Sequence, residues 1–225
     1  ITLLGFSSYY PVQGGDMGSS LVENTGTDAD TVDMVQAFKA KGFSMNQTVA
    51  DMYEALKPTY KSEVQSWGGT LEYNHITAPS TTGVFSSKEP SQAALDGQNA
   101  TWKDSMNDNN VMIVTIARSA SENGTYQPGT AGVDPTQNLN QTDPLGLSDD
   151  ERDLINAAVT AKAANGGKVI VLLNNASAME VQEIEDNVGV DAILQVGLPG
   201  GYGFYGVADI LSGAVSPSGH LTDTY

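Results

Sequence analysis

Arg118 and Glu122 stand four residues apart in a polar, glycine-containing loop, directly after the run Val111–Ala117 of β-branched and apolar residues. An unalternated run of this kind reads as a strand buried on both faces, and ligands of open α/β sheets gather where such strands end. A carboxylate held in a loop at that place, and not on a solvated helix, is positioned for general acid–base work. A guanidinium beside it can hold the loop or a neighbouring surface through two parallel hydrogen bonds. The plainer use of the same two residues is a surface ion pair, and the elements around them decide between the two.

Composition removes several other chemistries. The chain has 225 residues, no cysteine and a formal net charge of −17. Disulfides and thiolate catalysis are therefore excluded, and nucleic acid or an anionic membrane is a poor partner, because phosphate binding rests on lysine and arginine. His75 and His220 lie far apart, which speaks against a histidine-rich metal site. Asp149, Asp150, Glu151 and Asp153 open a helix, where acidic residues suit the dipole, and need no metal to explain them. No cofactor is expected. No run approaches the ~20 apolar residues that cross a bilayer.

The chain starts on Ile1 within the strand-like ITLLGF, with neither an initiator methionine nor a signal peptide, and reads as a piece of a longer protein. Sequons stand at Asn46, Asn99, Asn123, Asn140 and Asn175. Two of them fall at the strand ends that would carry function, where a glycan would block access. Chance occurrence in a bacterial, cytoplasmic chain is therefore favoured over a secreted or cell-surface one.

Along the chain, residues 1–6 form a short buried strand, and the loop after it carries Gly14, Gly15 and Gly18. A phosphate cradle is one reading of those glycines, but Asp16 and the missing Gly-Lys-Ser/Thr ending count against it. Asp30 or Thr31 can cap a helix with Val32, Val35 and Phe38 on one face, stopped by Gly42, and a second helix covers residues 48–56 before Pro58. Residues 57–110 show no sustained period and read as a long excursion with one or two weak helices. Its rings, Trp67, Tyr73, Phe85 and Trp102, are expected as satellite packing, or as sugar-stacking faces if exposed near a cleft. Ser148 and Glu151 spell a capping box that opens a helix to about residue 164. A strand at 168–175, a short amphipathic segment at 179–187, a buried strand at 191–196 and a helix at 205–212 complete the pattern. Buried strands alternating with helices define an α/β chain, a three-layer α/β/α sandwich around a mostly parallel sheet of five or six strands, as one domain over residues 1–225.

Gly201, Gly203 and Gly206 spell GxGxxG between a strand and a helix, with Asp223 about twenty residues on. The spacing formally satisfies a dinucleotide fingerprint. The helix after it is short, Pro217 and Gly219 intervene before Asp223, and no further βαβ unit remains, so coincidence is the better reading.

Several stretches in order resemble the α/β-sandwich domain of glycoside hydrolase family 3, the β-glucosidase family: LLGFSSYYPVQGGDMGSS, IVTIARSASENG, LGLSDDERDLINAA, KVIVLLNNAS, DAILQVGLPGGYGFYGVADILSG and SPSGHLTDTY. The resemblance covers the two ends and the second half and fades over 57–110. It implies a two-domain enzyme that cleaves terminal β-linked glucose or similar sugars with retention. The implied partners are a carbohydrate and a TIM-type barrel domain of the same polypeptide that bears the aspartate nucleophile. In many members the acid/base glutamate lies in a sandwich-domain stretch resembling Arg-x-x-Gly-Glu-Gly. Arg118 and Glu122 fall on that stretch, with Ser121 and Asn123 in place of its glycines and Thr125 or Tyr126 where an aspartate is common. Glu122 is thus the expected general acid/base, and Arg118, Ser121, Asn123 and Tyr126 the expected substrate- or loop-positioning residues. The reading from another class is a non-catalytic structural or sugar-binding domain that only completes a cleft.

Overall fold

The structure, a computed structural model, describes residues 1–14, 31–60, 62–66, 69–73, 75–77, 85–87, 89–118, 145–221 and 225. Strand β1 (Thr2–Leu4) runs into a single helical turn, α1 (Phe6–Tyr9), and helices α2 (Met34–Ala40) and α3 (Gln47–Tyr60) follow. Two antiparallel ribbons come next, β2 (Ser62–Ser66) with β3 (Gly69–Tyr73) and β4 (His75–Thr77) with β5 (Phe85–Ser87). Helix α4 (Gln92–Gln98) and a 3-10 turn (Asp104–Met106) lead to β6 (Val111–Ala117). The rest alternates: α5 (Asp149–Asn165), β7 (Lys168–Asn174), α6 (Gln182–Glu185), β8 (Ala192–Gln195) and α7 (Phe204–Leu211).

The main sheet has the order β1–β6–β7–β8, every pair parallel, with Leu4 beside Val114, Ala117 beside Asn174 and Leu173 beside Gln195. Parallel pairing sets all four carboxyl ends along one edge of the layer. Met112, Val114 and Ile116 on one face of β6 and Ile113 and Thr115 on the other are all buried, the signature of a strand covered on both sides. Helix α4 packs against both α3 and α5, α5 lies against β6 and β7, and α2 packs on α7 with its Met34 against Thr115 of β6. The molecule is thus an α/β/α sandwich.

The main sheet has four strands among the described residues, fewer than the sequence pattern suggests. Residues 57–110, expected to carry only weak helices, also hold the two ribbons. Helix α3 continues through Pro58 to Tyr60, because a proline in the last turn removes a single donor and leaves the turns before it intact. Helix α2 is capped by Asp33, not by Thr31: the Asp33 carboxylate accepts from Gln36 N–H (2.7 Å) and Asp33 N–H donates to the Gln36 side-chain Oε1 (2.9 Å). That reciprocal box shifts the buried face to Met34, Ala37 and Phe38. Asp30 lies outside the described residues. Trp102 belongs to the main core and not to a satellite, fully buried with its indole N–H on Asp96 Oδ1 (2.8 Å). Strand β8 is only half-buried, although β1, the other edge of the four-stranded sheet, is fully buried.

Gly5 is where β1 must turn. Its φ is +92°, and a Cβ there would stand 2.4 Å from the Thr115 carbonyl oxygen of β6. Both the left-handed backbone and the close approach demand glycine. Gly5→Ala is expected to destabilise the chain by at least about 2 kcal/mol in urea unfolding; a loss under about 0.5 kcal/mol would show that the turn relaxes freely.

Candidate functional site

The polar groups collect at the carboxyl ends of the parallel strands. Asn174, the last residue of β7, ties two loops to the strand: its Oδ1 accepts from Val12 N–H (2.8 Å), and its Nδ2 donates to Val12 O and to Gly197 O (2.8 Å each). Beside it Gln195 donates to both the backbone and side-chain oxygens of Asn175 (2.8 Å each), leaving Asn175 Nδ2 and Gln195 Oε1 buried without a partner.

Arg118, directly after β6, is fully buried. Its Nη1 donates to Glu151 Oε1 (2.6 Å) and its Nη2 to Glu151 Oε2 (2.9 Å), a bidentate fork between side chains that are 1% and 3% exposed. Nη1 also donates to Ala117 O (2.7 Å) and Nη2 to Gly146 O (2.6 Å). Glu151 serves α5 at the same time, accepting from Ser148 N–H (2.9 Å) while its own N–H donates to Ser148 Oγ (3.2 Å). The capping box foreseen in the sequence is therefore also one half of a buried ion pair.

A second carboxyl occupies the same end of the sheet. Half-buried Glu89 accepts from Phe6 N–H at Oε2 (2.7 Å) and from the Tyr53 hydroxyl at Oε1 (3.1 Å), and Gly5 N–H donates to that hydroxyl (3.0 Å). Desolvation pushes the Glu89 carboxyl well above the usual carboxylate range, and the charges of Glu151 and Asp150 push the same way. Burial and the neighbouring Glu89 charge likewise raise the Tyr53 hydroxyl. Asp150 is raised by desolvation and by Asp153, Asp149 and Glu151.

Of the residues expected in the site, only Arg118 falls within the described residues; Ser121, Glu122, Asn123 and Tyr126 lie outside them. Sequence reasoning missed Glu89, which sits in the stretch without a period, and the pairing of Glu151 with Arg118 across 33 positions. Of the three glycines in the dinucleotide-like run, Gly203 answers to packing, since a Cβ there would meet Pro199 O at 2.3 Å, whereas a Cβ on Gly206 would meet nothing within 4 Å; Gly201 O accepts from Val32 N–H (2.6 Å). Asp223 lies outside the described residues. Asn46 and Asn175 are buried, with Asn46 bonded to Thr2 and Ser105, so neither has room for a glycan. Among the described residues no cluster of histidine, aspartate and glutamate could hold a metal ion, and no helix is long and apolar enough to cross a membrane.

A parallel sheet between two helical layers, with its polar groups gathered at one edge, defines the α/β-sandwich class that presents a ligand-facing surface outside its strand ends. Within that class, residues 13–225 match the glycosyl hydrolase family 3 C-terminal domain, and the chain belongs to this family. It is 26% identical over 166 residues to the beta-glucosidase cel3A of Pyricularia oryzae, covering 70% of this chain and 21% of that protein. The structure of beta-glucosidase 3B from Thermotoga neapolitana in complex with α-D-glucose superposes with a TM-score of 0.65 at 25% identity, covering 97% of this chain and 26% of that one. A family 3 exo-β-xylosidase shares the fold, with a TM-score of 0.52 at 14% identity over 97% of this chain and 20% of its own. The chain thus spans between a fifth and about a quarter of the length of these relatives.

The environment of Glu89 has a measurable consequence. An acid whose pKa is higher folded than unfolded binds more protons in the native state, so stability falls as pH rises from the ordinary carboxylate range to the raised value. Glu89→Gln removes that slope. Its melting temperature relative to the parent is expected to climb by about 3 °C or more between pH 4.5 and pH 7; a constant difference across that range would contradict the raised pKa.

Proposed function

We propose that this chain is the sandwich half of a retaining β-glycosidase of the β-glucosidase type, and that Glu122 is its general acid/base. Family membership supplies the reaction class. The observation that carries the residue assignment is the anchoring of Arg118 at the carboxyl end of β6, where the chain enters the stretch containing Glu122.

Retaining hydrolysis needs a nucleophile on one side of the anomeric carbon and a proton donor near the leaving oxygen, the two carboxyls lying ~5–5.5 Å apart. In this reading the nucleophile is an aspartate on a barrel domain of the same polypeptide, and the sandwich contributes the proton. Docking of the two domains brings the donor to that distance and excludes water from it, which holds the carboxyl protonated nearer neutral pH. The same carboxylate then takes a proton from the water that releases the sugar. Arg118 keeps its charge buried against Glu151 and acts on the loop, not on the substrate. The substrate would be a terminal β-linked glucose or a similar sugar.

The test follows from what a proton donor does. A strongly basic leaving oxygen depends on protonation, whereas an activated aryl oxygen departs almost unaided. In the full-length polypeptide, Glu122→Gln is expected to lower kcat/KM on an alkyl glucoside or a disaccharide by about 10²-fold or more, and on a dinitrophenyl glucoside by far less. Equal and small effects on both substrates would remove Glu122 from this role and favour a domain that only shapes the cleft.

A further inference from the structure

We propose that Asn175 and Gln195 form a polar subsite for two neighbouring hydroxyls of a sugar at the carboxyl edge of the sheet. The inference rests on the β-glycosidase reading above for the class of ligand, and on the two amides for its place. Among the described residues, Asn175 Nδ2 and Gln195 Oε1 are the buried side-chain atoms that lack a hydrogen-bond partner, and both belong to one contacting pair. Gln195 ends β8 opposite Leu173 of β7, and Asn175 directly follows β7. The pair therefore stands where ligands of parallel sheets collect. Asn174 beside it fixes the flanking chain at Val12 and at Gly197 (2.8 Å each), so the amides are offered from a fixed frame.

Turning the amides over does not satisfy the two atoms. Gln195 Nε2 donates to the backbone carbonyl of Asn175 and to its Oδ1 (2.8 Å each). The carbonyl has no donor to exchange, so Gln195 must present nitrogen to it, and Asn175 must then present oxygen to that nitrogen. Each amide keeps its other end unused, an acceptor on Gln195 and a donor on Asn175. A buried polar group in that state carries the full loss of its hydration, which a bond from a ligand would offset. An anion would be repelled by Oε1 and a cation by the N–H of Nδ2. An uncharged vicinal diol suits both, one hydroxyl accepting from Asn175 and the next donating to Gln195. The pair is closed in this structure. Gln195 and residues 196–201 after it are only half-buried, so this edge is the part that yields to a ligand.

The experiment uses the full-length polypeptide, the double variant Asn175→Leu with Gln195→Met, and Gln195→Met alone. Both replacements keep the size of the side chain and remove its polar end. Isothermal titration is made with a thio-linked β-glucose disaccharide, which is not hydrolysed, and with its monodeoxy analogues in either ring. The parent is expected to bind at least one analogue about tenfold or more weakly than the intact disaccharide, because a site built to bond a hydroxyl rejects the ligand that lacks it. In both variants the disaccharide is expected to bind about tenfold or more weakly, and discrimination at that hydroxyl to fall below about threefold. The melting temperature of the double variant is expected to be no lower than the parent's, since both polar partners leave together. Folded variants with the parent's affinity and its full pattern of hydroxyl discrimination would overturn the subsite. Uniform weakening with that pattern intact would overturn it too, as the mark of amides that hold protein and not sugar. If the double variant does not fold, Gln195→Met decides by the same pattern. A parent that binds neither the disaccharide nor any analogue removes the glycosidase reading itself, and the subsite with it.

Discussion

A guanidinium cannot shed its proton at any ordinary pH, so a chain that buries Arg118 must bring a carboxylate to it. Much of the second half of the molecule meets that demand. Helix α5 begins where Glu151 reaches the fork, Ser148 closes its first turn on the same carboxylate, and Gly146 turns a carbonyl toward Nη2. The cap, the ion pair and the placing of Gly146 are one constraint seen from three sides. Strand β6 reaches that group with its backbone paired to β7 as far as Ala117, while its pairing to β1 ends at Val114.

Two carboxyls at the same end of the sheet have different partners. Glu151 has a cation within 3 Å and a backbone donor besides. Glu89 is held by a peptide N–H and a phenol, both neutral, and burial dominates its titration.

The periodic parts of this fold were legible in the residues. The unbroken apolar run of β6, the SDDE box of α5, Gly166 at its left-handed end and the KVIVLLNN strand all declare themselves locally, because each is decided by contacts within a few positions. What stayed hidden was decided at a distance. The ribbons within 62–87 carry no alternation that separates them from loop. Trp102 gave no sign that its short polar surroundings would sink it into the main core. Nothing in the residues of β8 marks it as half-exposed where β1, the other edge of the sheet, is fully buried. The site divides in the same manner: Arg118 could be named from its position after a buried strand, whereas its tie to Glu151, 33 positions further along, belongs to the tertiary fold alone.

Asn174 is worth following one step further. Its amide nitrogen faces two carbonyl oxygens, one on the chain after β1 and one on the chain after β8, while its oxygen takes a peptide N–H. Exchanging that nitrogen for oxygen, as an Asn174→Asp replacement does, would set a carboxylate against both carbonyls without altering the shape of the side chain. The segments after α1 and after β8 would lose their common fastening to β7 in a single event, so one amide holds together the carboxyl edge of the sheet.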